Sequence, residues 1–273
     1  MPAPDAPTPD KNVVASLAKG FRVLEAFTAE APELALAEIA RRTGSDNATA
    51  FRLLNTLVML GYVEKVPDSR RFRLTLKCLG LGFNAIARSD LRALARPVLR
   101  TLVGEVNEAA SVGVLDGPDV VYIERIQAGL TRLGVDVRIG SRVPVYATAI
   151  GQAILSGLPR PTQIDILQRR PRDPLTQYTL TDLKTLLDRL DVVHARGYAL
   201  SDQETVLGLR VLAAPVVDVD GVPVAGLSVA APGSRMTIAA FEEAARAPVL
   251  AAASALSRAM QASGGFAAQT ATG

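Results

Sequence analysis

Between Leu36 and Tyr62 the chain reads LALAEIARRTGSDNATAFRLLNTLVMLGY, a stretch that admits few folds. Leu36, Ile39, Ala40 and Thr43 recur at helical spacing, and Gly44 supplies the permissive backbone that ends a first short helix. Asp46 stands where an N-cap belongs, because its carboxylate can accept from the orphan N–H groups of the next turn. The second helix places Ala50, Leu53, Leu54, Leu57 and Val58 on one face. Ala48, Arg52, Asn55, Thr56 and Met59 lie opposite, with Thr49 and Phe51 on the border. Short side chains at the start and an arginine one turn in suit close approach to a major groove, which is helix-turn-helix geometry. Two amphipathic helices of an ordinary all-α domain share this half of the pattern.

The residues after the second helix separate these two possibilities. Val63-Glu64-Lys65-Val66 and Phe72-Arg73-Leu74 flank the polar turn Pro67-Asp68-Ser69-Arg70-Arg71, which predicts a β-hairpin. Arg70, Arg71 and Arg73 are expected where phosphates lie beside a groove-bound helix. Together these elements predict a winged helix-turn-helix that contacts double-stranded DNA through Asn47, Ala48, Thr49, Arg52, Asn55, Arg70, Arg71 and Arg73.

At 273 residues the chain suggests two domains. A net charge of +3 excludes a polycation, so a nucleic-acid surface must be local. The single cysteine, Cys78, excludes an intramolecular disulfide and multi-cysteine zinc sites, and it fits a reducing cytosol. The segment 1–12 reads as a disordered tail rather than a signal peptide, and no apolar run approaches the roughly 20 residues of a membrane helix. A cytoplasmic protein with no membrane contact is expected.

Ser16 is placed to cap a first helix with Leu17, Phe21, Leu24 and Phe27 inward. After the wing, Leu76 to Ala87 reads as a helix whose Gly80 and Gly82 mark close helix–helix approach. Ser89-Asp90 caps another helix, Leu91 to Val106, with a bend at Pro97. Beyond Ala110 the texture becomes β-rich. Ser111 to Leu115 and Val120 to Ile126 are joined by the hairpin signal Asp116-Gly117-Pro118-Asp119. Leu133 to Val137, Val143 to Tyr146, Tyr198 to Ser201, Val211 to Val217 and Pro223 to Ala230 are further strands. Ala149 to Leu155, Thr162 to Arg169, Asp182 to Arg196 and Ile238 to Met260 are helices, the last with a kink at Pro248. Strands flanked by helices without repeated βα units indicate an α+β domain. The expected division is a tail at 1–12, a winged helix at 13–75, a linker helix at 76–89, an effector domain at 90–262 and a tail at 263–273.

Several stretches, in order, resemble the IclR family of bacterial transcriptional regulators: SLAKGFRVLEAF, LALAEIARRTG, TAFRLLNTLVMLGYV, FRLTLKCLGLG, VLDGPDVVYIERI, GSRVPVYATAIGQAIL and ARGYALSDQE. The last two, with GLRVLAAPV, are most similar to the branch controlling protocatechuate and 4-hydroxybenzoate breakdown. The resemblance implies an N-terminal winged helix, a linker helix and a GAF-like α+β domain that binds a small effector. It further implies dimers, often paired as tetramers, on an operator near a catabolic operon. Many members carry an apolar residue where this chain has Ser45, just before the recognition helix, and many a pocket cysteine where it has Val211. Some keep a second serine where it has Ala230, so the resemblance implies a pocket less polar at this end than in the small-oxoacid sensors.

A small aromatic carboxylate is therefore the expected effector. The Tyr146-Ala147-Thr148 segment turns into a helix whose N–H groups at Ala149, Ile150 and Gly151 would receive the carboxylate; a start merely capped by Thr148, facing solvent, is the alternative. Val211 and Ser228 would line the pocket, and Asp202 would accept a ring hydroxyl, with Glu204 nearby. Asp202 and Glu204 equally suit capping of the turn toward Gly208. Arg125, Arg132 and Arg142 are candidates to pair an acid. His194, the only histidine, has neither a serine elbow nor a metal-spaced partner, so no catalytic role and no cofactor are expected. Asp218-Val219-Asp220-Gly221 lacks the later acidic ligand of a calcium loop and reads as a turn. A metabolite-binding protein or enzyme whose N-terminal helices only dimerise it is the competing interpretation, but such a module has no need of three wing arginines.

Overall fold

A computed structural model describes residues 13–86, 91–128 and 137–263. The chain divides into two compact units, Met1–Ala85 and Ile86–Gly273.

The first unit runs α1 (Ala15–Glu25), β1 (Glu33–Ala35), α2 (Leu36–Thr43), α3 (Asn47–Met59), β2 (Val63–Lys65), β3 (Arg71–Leu74) and α4 (Lys77–Ile86). Gly44 ends α2 at φ +64°, a left-handed position that lets the chain reverse within two residues. Asp46 then caps α3 by accepting the Thr49 N–H at 2.8 Å. Val23, Leu34, Ile39, Leu54, Val63 and Phe72 form the core.

Four expectations change here. A third strand, β1, joins the hairpin in the antiparallel order β1-β3-β2. The first helix starts at Ala15 on the backbone of Val14, without a side-chain cap from Ser16. Val23 and Phe27 face the core, whereas Leu17 and Phe21 are 60% and 51% exposed. Gly80 and Gly82 meet nothing within 4 Å in this chain.

The second unit runs α5 (Leu91–Val106), β4 (Ala109–Asp116), β5 (Asp119–Ile126), β6 (Arg142–Pro144), a 3-10 turn (Val145–Ala147), α6 (Ala149–Ser156), α7 (Arg160–Gln168), α8 (Leu183–Arg196), β7 (Ala199–Asp202), β8 (Leu209–Val217), β9 (Pro223–Pro232) and α9 (Ile238–Ala262). The strands form one sheet in the order β6-β5-β4-β9-β8-β7, each pair antiparallel. Alternation sends Val112, Leu212 and Val229 to one face, where Leu99 of α5 and Phe241 and Leu256 of α9 cover them. Val120, Ala213 and the half-buried Val211 go to the other, under Ile150, Ile154, Leu186 and Leu190 of α6 and α8.

Two close approaches lay α6 antiparallel along β9. A Cβ at Gly157 would stand 2.5 Å from Pro223 Cγ, and one at Gly226 would stand 2.8 Å from Ile150 Cγ2. Seven residues of helix and three of strand both span about 10 Å, so the two elements run in step. The amino end of α6 is thereby aimed toward the Ser228 end of β9. The expected strand Val143 to Tyr146 is shortened, because Val145–Ala147 winds into the 3-10 turn. Val145 O lies where a Cβ on residue 151 would be, at 2.1 Å, so only glycine admits this turn. The Ser89-Asp90 cap, Arg132, residues 133–136 of the expected Leu133 to Val137 strand, and both tails apart from Ser263 lie outside the described residues.

Candidate nucleic-acid interface and effector pocket

In the first unit, α3 buries Ala50, Leu54 and Leu57 and exposes Asn47, Ala48, Arg52, Asn55, Thr56 and Met59, the faces that the periodicity divides. Thr49, on the border between the two faces, is half-buried, and its N–H and hydroxyl both go to Asp46, at 2.8 and 2.7 Å, so it also builds the cap. These bonds favour the ionised carboxylate and pull the Asp46 pKa down.

On the wing, two of the three arginines are engaged by glutamates. Arg71 Nη1 donates to Glu33 O at 2.8 Å and to Glu38 Oε2 at 3.2 Å. Arg73 Nε donates to Glu64 Oε1 at 2.6 Å, and its Nη1 lies 3.8 Å from Glu33. Strand β1 is the cause: it sets Glu33 opposite Arg73 in register, next to α2 and its Glu38. Of the three wing arginines only Arg70, exposed at the turn, makes no ion pair among the described residues. Arg52 and Arg70 are thus two of the cations that the described residues of this surface offer without a competing glutamate.

In the second unit a cavity of about 20 Å³ opens on the α6 face of the sheet. Ser111, Tyr122, Arg125, Val211, Ser228 and Ala230 line it, together with Val137 and Leu209. Its volume is that of about one water. Arg125 Nη1 donates to Ser111 Oγ at 3.0 Å. Burial pushes the Tyr122 phenol pKa up, with Arg125 opposing.

Of the eight residues expected to hold an effector, Val211 and Ser228 line this cavity. The others are placed differently. Thr148 caps α6, and its Oγ1 takes the Gly151 N–H at 2.9 Å, so that donor is not open to a carboxylate. Tyr146 is buried, and its hydroxyl donates to Asp173 O at 2.7 Å. Ala149 and Ile150 are buried, with Ile150 seated against Gly226. Asp202 faces away: Ser201 pairs with Val211 on the cavity side, so Asp202 and Arg210 project from the opposite face, where they bond at 2.9 Å. Arg142 is held by Asp116 at 2.6 Å and Asp119 at 3.4 Å, at the far hairpin end.

Glu204 lies in a separate buried cluster. Gln152 Nε2 donates to its Oε2, and Arg189 Nη1 to its Oε1, each at 3.0 Å. Burial raises the Glu204 pKa, and the Arg189 charge pulls it back in part. Ser111 and Tyr122 were not among the sequence candidates. The signal was a polar side chain within each of two apolar strands, readable only once their faces are known. Among the described residues no three His, Cys, Asp or Glu side chains are grouped to hold a metal ion. His194 is exposed in the last turn of α8. No described helix is long and apolar enough to cross a membrane.

Comparison with known proteins agrees with both units. A family profile described as the IclR helix-turn-helix domain matches residues 16–67, and one described as the bacterial transcriptional regulator IclR C-terminal matches residues 83–258. The chain is 35% identical to the HTH-type transcriptional regulator KdgR of Escherichia coli K12, over 84% of this chain and 87% of that protein. It is 34% identical to the p-hydroxybenzoate hydroxylase transcriptional activator of Acinetobacter baylyi, over 80% and 81%. The crystal structure of Thermotoga maritima IclR superposes with a TM-score of 0.74 at 25% identity, covering 91% of this chain and 100% of that one.

Proposed function

Because this chain belongs to the IclR family of bacterial transcriptional regulators, we propose that it is a cytoplasmic homodimer, able to pair into a tetramer on DNA, that controls a catabolic operon in response to a small aromatic carboxylate. The proposed division is a winged helix at 13–75, a linker helix at 76–89 and an effector domain at 90–262. The observation that carries the DNA reading is the outward face of α3, which exposes Asn47, Arg52 and Asn55, with Arg70 making no ion pair among the described residues of the wing. Arg52 reads a base edge, and Arg70 anchors a phosphate. At Arg71 and Arg73 a phosphate competes with the glutamates that already engage them.

Dimerisation is supported by the apolar residues that the first unit leaves exposed. Val14 at the start of α1, Leu17 and Phe21 on it, and Leu79 and Leu81 on α4, are each at least half exposed. Two-fold pairing of such faces would match palindromic half-sites.

The effector would occupy the cavity over Val211 and Ser228, beside the start of α6 at Thr148. At about 20 Å³ that cavity is small for a hydroxybenzoate, and on this reading its walls part to admit one. An effector therefore favours an expanded arrangement over the closed one, which is the differential affinity that any ligand-driven switch requires. A tenfold change in operator affinity needs about 1.4 kcal/mol of such coupling.

The test is binding of the full-length protein to its own upstream DNA, by fluorescence anisotropy across salt concentrations, with and without 4-hydroxybenzoate, pyruvate or a sugar acid. Salt-dependent, sequence-selective binding that 4-hydroxybenzoate shifts supports the whole proposal. A response to pyruvate or a sugar acid alone removes the aromatic assignment. Equal affinity for upstream and random DNA refutes the operator reading.

A further inference from the structure

The cavity is polar at one end only. Arg125, Ser111 and Ser228 are directly opposed across β5, β4 and β9, so a guanidinium and two hydroxyls stand in one register row on the α6 face. Tyr122, opposite Gly113 one row away, adds a phenol at the same end. From β9 to β8 the lining turns apolar, through Ala230, Val211 and Leu209. Neighbouring strands are about 4.8 Å apart, so the row from Arg125 to β8 crosses three spacings, roughly 14 Å between backbones. That is the layout for one small amphipathic acid lying across the strands. Among the described residues lining the cavity Arg125 carries the charge, and its bond to Ser111 Oγ holds the head group above β4.

We infer that Arg125 makes this regulator selective for acids: the effector's carboxylate sits on Arg125 and Ser111, with its apolar body over Ala230 and Val211. This inference rests on the cavity being the effector site. It reverses the direction expected from the helix start, where the Gly151 N–H is already taken by Thr148 and Asp202 lies across the sheet. A guanidinium binds a carboxylate in a two-point fork, so the neutral amide of the same acid loses both the charge and one acceptor. Mounted on strands, the row is positioned more rigidly than a loop-borne site.

The experiment is titration calorimetry of the full-length protein with 4-hydroxybenzoate and with 4-hydroxybenzamide. The wild type should bind the acid at least tenfold more tightly than the amide. Arg125→Gln should weaken acid binding ten- to a hundredfold and change amide binding less than threefold, so that the preference disappears. Arg125→Lys, which keeps the charge without the fork, should retain part of the preference and serves where the Gln variant folds poorly. Equal weakening of acid and amide would make Arg125 a structural residue and overturn the inference. An undiminished preference for the acid in a folded Arg125→Gln protein would place the carboxylate elsewhere, overturning the inference while leaving the effector site standing. Wild-type protein that binds neither probe nor any other small acid would overturn the effector reading, and this inference with it.

Discussion

Removing the wing arginines one at a time distinguishes a cation that is ready for phosphate from one that must first be released. Each phosphate neutralised on duplex DNA contributes about −0.9 to the slope of log affinity against log salt. Between about 50 and 200 mM salt, one full contact is therefore a factor of about 3.5 in affinity. Arg70 is exposed at the hairpin turn without an ion pair among the described residues, so Arg70→Ala should flatten the slope by close to 0.9. Arg73 holds Glu64 at 2.6 Å and faces Glu33 at 3.8 Å. Its move to a phosphate leaves two carboxylates uncompensated near the DNA, and Arg73→Ala should change the slope by less than half as much. Anisotropy titrations of full-length variants on an upstream fragment, at four or more salt concentrations, read this directly. Glu64→Gln should then steepen the wild-type slope by releasing Arg73. An Arg73→Ala slope change equal to or larger than that of Arg70→Ala would refute the reasoning.

Three further outcomes are expected. Gly226→Ala sets a Cβ 2.8 Å from Ile150 Cγ2 and 3.2 Å from Ile150 O, an overpacking that should cost about 1–3 kcal/mol in chemical denaturation; an unchanged midpoint would show that α6 can lift off β9 freely. Phe21→Glu, at a position 51% exposed, should give a monomer by light scattering at micromolar concentration, and a persistent dimer would move the pairing face elsewhere. Glu204 has a pKa raised in the fold, so its contribution to stability is present below the unfolded value of about 4.3 and is lost as pH rises through the folded one. The melting temperature of wild type relative to Glu204→Gln should therefore fall across that interval, and a difference that does not vary with pH would contradict a raised value.

Local rules made much of this molecule legible. Period and cap residues are properties of a few neighbours, so Gly44, Asp46 and the two faces of α3 could be read before any tertiary contact was known. The hairpin turn at Asp116–Asp119 was legible for the same reason. Strand β1 was not, since three residues carry too little pattern, and with it went the glutamates that engage Arg71 and Arg73. Asp202 shows a second limit. It lies one residue from Ser201, and in a strand one residue is the difference between the two faces of a sheet. Composition near a site cannot supply that parity. Arg125 was named among three arginines, but its place beside Ser111 and Ser228 depends on β4 pairing with both β5 and β9, a long-range fact.

A cavity that holds about one water also sets a clock. If an acid can enter only when the walls have parted, its apparent affinity is its intrinsic affinity scaled by the fraction of molecules already open. The rate of the response then stops rising once effector is abundant and levels off at the opening rate of the domain. Trimming Leu209 would raise that open fraction. Effector binding would become faster and tighter although the ligand had gained no contact, and larger acids would be admitted to the same switch.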